Sequence, residues 1–187
     1  MLDFPISVYL VREIFKQNKF FLNRDVSHII KEIVKVSEDL ELSDVSKSSY
    51  LKALQVFVKY KNKIIKKNQQ DIVIQLTSSS RSELFNILKP GGQTKIGSLL
   101  KKMSANEQDG TLELPAEVYN IICFLDTFTL CTEGKHEVTE AKAQTSVMDL
   151  HAISDMLKDP DLTGCWPLRE AVVHFLEDVF LITEKGD

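Results

Sequence analysis

Few residues here have types and spacings that could do chemistry. "HEVTE", His136 to Glu140, stops one residue short of the HExxH zinc signature. A catalytic zinc takes three protein ligands and one open position. Glu140 stands where the second histidine would be needed, so the plain reading is a solvated helix. "DPDLTGCWPLRE" places Asp159, Asp161, Thr163, Gly164 and Glu170 at positions 1, 3, 5, 6 and 12 of a calcium loop. Thr163 replaces the usual Asp or Asn, and Trp166-Pro167 come after the turn, where a small extended segment is normal. The competing reading is a helical corner in which Pro167 opens the last helix. "PGGQTKIGS" lacks the Gly-Lys-Ser/Thr ending of a phosphate loop. No Ser-His-Asp or Cys-His spacing suggests a nucleophile. The sequence therefore predicts a non-enzyme with no cofactor and no catalytic or metal residue, calcium at 159–170 standing as the alternative.

The elements that would position these residues read as helical almost throughout. Ile6, Leu10 and Ile14 recur every fourth residue after Pro5, which suits a first helical turn. Val26, Ile29, Ile30, Ile33, Val36 and Leu40 mark a second helix. Ser43 or Asp44 caps a third, with Leu51, Leu54 and Val58 on one seam. "KYKNKIIKKNQQD" reads as a solvated helix end, "DIVIQL" as a short helix, and Arg81–Leu88 as another. Residues 90–112, rich in Gly and polar types, read as an exposed loop or partner-binding insertion. Pro115 then opens a long helix with a broad apolar face of Val118, Ile121, Ile122, Leu125 and Phe128. Gly134 falls where a left-handed C-terminal cap is expected. A short polar helix over 136–146, one carrying Leu150, Ile153 and Leu157, and a last one from Pro167 complete the pattern.

Charge divides the chain. Residues 1–103 hold 18 Lys and Arg against 10 Asp and Glu, whereas residues 104–187 hold 5 against 17. Such a dipole suits end-to-end contact with other helical units. The overall charge is −4 and only Tyr60 is interleaved with the lysine run, so nucleic acid is not the expected partner. No apolar run reaches the ~18 residues of a membrane span, and "MLDFPISVYLVREIF" reads poorly as a signal peptide. Cys123 and Cys131 lie eight residues apart on one helix, about 12 Å along its axis and too far to bridge. Free thiols in a reducing compartment are the natural consequence.

One segment carries a family likeness. "LPAEVYNIICFLDTFTLCTEGKHEVTEAKAQTSVMDLHAISDML" resembles a segment of the inositol trisphosphate receptors, calcium-release channels related to the ryanodine receptors. The pattern is Cys131-Thr132-Glu133-Gly134-Lys135, then Thr139-Glu140 and Lys142, later Cys165-Trp166-Pro167 and "LREAVVHFLEDVFLITE". It covers about 114–184, with a fainter match over 50–88. The resemblance implies an armadillo-like cytosolic region that links ligand binding to a distant pore. It also implies a homotetrameric context on the cytosolic face of the endoplasmic reticulum, with helical domains of the same or neighbouring subunits as partners. No ligand-contact residue carries over, and the chain is far shorter than a receptor subunit.

Pattern and resemblance together predict an all-α chain, an armadillo-like α-solenoid of antiparallel helices. A basic part at 1–89, a polar loop at 90–112 and an acidic part at 113–187 would form one continuous domain. The expected function is a non-catalytic scaffold that relays conformational change. A free-standing adaptor gripping a partner through "GSLLKKM" stays open beside the calcium regulator.

Overall fold

In a computed structural model, residues 5–16, 18–38, 43–78, 82–104 and 114–182 are described. The described residues are helical apart from loops and one small hairpin. Helices α1 (Pro5–Phe15), α2 (Lys19–Leu22), α3 (Ser27–Ser37) and α4 (Asp44–Gln55) come first. Strands β1 (Lys59–Tyr60) and β2 (Lys63–Ile64) pair antiparallel before α5 (Lys66–Ser78), α6 (Ser82–Ile87) and α7 (Gln93–Ser104). Next come α8 (Ala116–Thr132), α9 (Glu137–Lys142), a π turn at Ala143–Val147, α10 (Leu150–Lys158), α11 (Pro160–Thr163), α12 (Trp166–Leu176) and a second π turn at Glu177–Leu181. Among the described residues no helix is long and apolar enough to cross a membrane.

Local chemistry explains several starts. The Ser43 hydroxyl accepts from the Ser46 N–H at 3.3 Å and so satisfies one free donor at the start of α4. Asp149 does the same for α10, accepting from the Ala152 N–H at 2.8 Å. Pro167 lies in the first turn of α12, where its missing N–H costs nothing.

α8 organises the interior. Val118, Ile121, Cys123, Phe124, Leu125, Phe128 and Cys131 are all buried, so the helix is covered on every side rather than on one broad face. Fully burying side chains of this size stabilises by about 1.5–3 kcal/mol each. Phe124 sits edge-on to Phe85 at 5.5 Å and to Phe128 at 5.0 Å, geometry that suits the ring quadrupoles. α1 packs on α4, α4 on α8 and α8 on α12. A second row backs the first: α3 packs on α5 and α5 on α9. Between the rows α3 meets α4, α5 meets α8 and α10 meets α12.

Two segments differ from the sequence reading. The first part of the lysine-rich stretch is a hairpin, with Lys59 opposite Ile64 and Tyr60 opposite Lys63, and only from Lys66 is it an exposed helix end, the start of α5. Lys61 takes φ 52° there, the conformation that lets a two-residue turn reverse the chain. The alternating "DIVIQL" segment is helical, as expected, and its Ile72, Val73 and Leu76 are buried in α5.

The second difference concerns 90–112. Residues 93–104 form α7, and Ile96 and Leu100, four apart, bury their side chains in the core. "GSLLKKM" is therefore helical and partly interior, not a loop displayed for a partner. Residues 105–113, like Leu40 and Arg81, lie outside the described residues.

The π turns each place one extra residue in a helical turn. They touch one another, and the Gln144 side-chain nitrogen donates to the Val179 carbonyl at 2.9 Å.

Candidate functional site

The corner from Cys131 to Lys142 is where the two rows are pinned together. Cys131 ends the interior of α8, and burial pushes its thiol far up from the ordinary value. The Thr132 hydroxyl, also buried, donates to the Thr129 carbonyl at 2.9 Å. Glu133 comes next as the C-terminal cap, and Lys59 from β1 reaches both of its oxygens, at 3.0 and 3.1 Å.

The left-handed residue is not Gly134. Among the described residues Gly91 is the glycine with positive φ, and at this corner Lys135 carries it, at 48°. Gly134 is required for a different reason. A Cβ there would lie 2.5 Å from Gln69 Oε1 and 3.0 Å from Ile64 Cγ2, so the hairpin and α5 close down onto the bare Cα. The Gln69 nitrogen donates to the Leu130 carbonyl at 2.8 Å, one of the acceptors left open as α8 ends.

From Lys135 the network crosses to the C-terminal segment. Its ammonium lies 3.5 Å from Glu140 Oε1 and also donates to the Asp178 carbonyl in the second π turn. Burial raises the Asp178 carboxyl above the ordinary range, and Lys135 opposes that shift. The Thr139 hydroxyl donates to the His136 carbonyl at 2.8 Å. Lys142 ends α9 and makes no ion pair or side-chain hydrogen bond among the described residues. Seven of the eight expected corner residues are thus joined in one packed junction. The sequence reading missed its other half, namely Lys59, Ile64, Gln69 and Asp178.

The catalytic-looking motifs dissolve into helix ends. His136 is the N-cap of α9, where Nδ1 accepts from the Val138 N–H at 3.2 Å, and the Gln70 nitrogen lies 2.6 Å from Nε2. Among the described residues no group of three His, Cys, Asp or Glu side chains converges as a metal site would need. The segment of the alternative calcium reading, 159–170, forms α11 and the start of α12, the helical corner that competed with it. Asp159 caps α11 by accepting from the Asp161 N–H at 2.8 Å, and Asp161 pairs with Lys101 of α7 at 2.6 Å. Glu170 is exposed on α12. Both aspartates are thus committed to local partners. Cys123, Cys131 and Cys165 are all buried free thiols. Burial drives Cys123 up to about 11, and all three are poorly suited to nucleophilic work at neutral pH.

No protein-family model matches the chain, and no solved structure matches it.

Proposed function

We propose that this chain is a non-catalytic helical scaffold, an armadillo-like solenoid segment that works by relaying small rotations between packed helices. On this reading it serves as a cytosolic coupling region of an inositol trisphosphate receptor-type calcium-release channel, standing between a ligand-binding region and a pore. Its partners are other helical domains of the same or a neighbouring subunit in a homotetramer on the cytosolic face of the endoplasmic reticulum. Packed interfaces of this kind tend to switch between discrete arrangements, which makes them suitable relays.

The observation that carries the reading is an uncovered helix at one end of the two rows. α1 buries Val8 and Phe15 against the interior, yet it also leaves Tyr9, Leu10 and Ile14 at 58, 54 and 50% exposure. A helix apolar on both sides calls for neighbours on both sides. A further helical pair laid against Tyr9, Leu10 and Ile14 would continue the rows. The receptor identity rests on the corner residues Cys131 to Lys142 and their sequence resemblance.

Detergent-solubilised membranes from cells that express the chain test this directly. An antibody against the chain should detect it in a membrane-derived assembly far larger than 187 residues, and inositol trisphosphate-evoked calcium release should fall when its coding region is disrupted. A chain found only as a free species, with calcium release intact after disruption, overturns the channel reading.

A further inference from the structure

Beside α1, on the side that packs toward α4, a groove of about 300 Å³ is lined by Arg12, Lys16, Lys52, Gln55, Val56 and Lys59. Four of the six are cations, and they come from α1 and its C-terminal end, α4 and β1. Arg12 and Lys16 stand one helical turn apart, and their side chains have no ion-pair or hydrogen-bond partner among the described residues. Lys52 is held in place, donating to the Tyr119 hydroxyl with its ammonium 4.6 Å from the ring centroid. Lys59 is anchored from behind by Glu133 at 3.0 Å. The Gln55 nitrogen donates to Thr127 Oγ1 at 3.2 Å, which leaves its carbonyl oxygen free of that bond.

Lys59 is already paired with Glu133, but Arg12, Lys16 and Lys52 bring three further positive charges to the same concavity without an ion pair among the described residues, and a cleft lined by one sign concentrates the opposite ion. From this arrangement we infer that the groove is a binding site for a phosphate dianion, free or esterified on a small molecule. The volume is at the lower end of small-ligand pockets. A guanidinium offers paired donors to two oxygens of one phosphate, and the ammonium groups supply point charge around it. Val56 is the one apolar residue among the described lining residues, which argues against an amphipathic helix, since a helix-binding groove needs several apolar pockets. Two nearby carboxylates have cationic neighbours of their own: Glu133 pairs with Lys59, and Asp126 on α8 lies in the field of His174 and then Lys52. This site is independent of the scaffold reading and stands or falls separately.

Isothermal titration of the full chain with inorganic phosphate and with glycerol 3-phosphate, at constant ionic strength, tests it. Saturable one-site binding of both is expected; binding of inorganic phosphate alone would restrict the site to the free ion. Arg12→Gln/Lys16→Gln should weaken affinity about tenfold or more, the scale of a lost charge-assisted bond. Lys101→Gln, which removes the partner of Asp161 outside the groove lining, should leave it unchanged. Should the double variant not fold, Lys16→Gln alone carries the comparison. The proposal is overturned if neither anion binds saturably, if the groove variant binds as tightly as the parent, or if a glutamate-rich peptide or an anionic vesicle binds while both small anions do not.

Discussion

The side-chain amide of Gln69 is wedged between the end of α8 and Gly134. Its nitrogen holds the Leu130 carbonyl at 2.8 Å, and its oxygen is buried without a hydrogen-bond partner among the described residues, 2.5 Å from where a Cβ on Gly134 would stand. Gln69 is fully buried and its nitrogen is held by the Leu130 carbonyl, so an added side chain would have to displace a packed, hydrogen-bonded amide. The junction between the two helical rows therefore closes on the absence of one carbon atom.

Gly134→Val should consequently destabilise the chain by about 1–3 kcal/mol, the usual cost of overpacking. At this chain length that lowers Tm by roughly 2–4 °C per kcal/mol. Gly134→Ala should cost less in a Gln69→Ala background than in the parent, because the two residues share one contact. Equal costs in both backgrounds would show that the contact does not govern the corner. Thermal unfolding followed by circular dichroism measures both.

Lys61→Gly should raise stability by about 1 kcal/mol or less. A left-handed conformation at φ 52° disfavours a side chain bearing Cβ, and glycine removes that penalty while adding disorder to the unfolded chain. A lower denaturant midpoint for this variant would show that the Lys61 ammonium, 5.6 Å from the Tyr60 ring centroid, matters more than the backbone.

The folded chain should resist Ellman's reagent at pH 8. Cys123, Cys131 and Cys165 are buried, and burial holds each thiol in its protonated form. In denaturant all three should react at once. A thiol that reacts rapidly under native conditions would mean that α8 or the start of α12 opens readily.

Asp126→Asn should stabilise the chain at pH 7. Burial raises the Asp126 carboxyl above 3.8, against the pull of His174 and Lys52. Between 3.8 and that raised value the folded chain keeps a proton that the unfolded chain has lost. The Asp126 contribution to stability therefore declines as pH rises through this window. The advantage of Asn should be full above the window and fade as pH falls through it. An advantage that stays constant from pH 3 to pH 7 would contradict this assignment.

Much of the helical layout was legible because it is local. The spacing of Ile30 and Ile33 in α3, and the cap Ser43, need only neighbouring residues to act. The hairpin was not legible, since five lysines between Lys59 and Lys67 mask a turn made by Lys61, a poor left-handed residue. α7 was hidden by Gly97 and its polar neighbours, although Ile96 and Leu100 mark its buried side. At the corner the glycine was visible and its reason was not. The left-handed residue is Lys135, and the constraint on Gly134 comes from Ile64 and Gln69, far away along the chain. The cationic groove has the same character: Arg12 and Lys52 become neighbours only when α1 lies on α4.

The paired π turns have a consequence for insertions and deletions. A helix advances ~100° per residue, so removing one residue from Ala143–Val147 would regularise that turn and rotate α10 by the same angle relative to α9. Gln144 would then miss the Val179 carbonyl, and Asp149 would start α10 on a different bearing. Segment length between His136 and Asp149 should tolerate single-residue indels far less well than side-chain replacement at its exposed positions, such as Thr145.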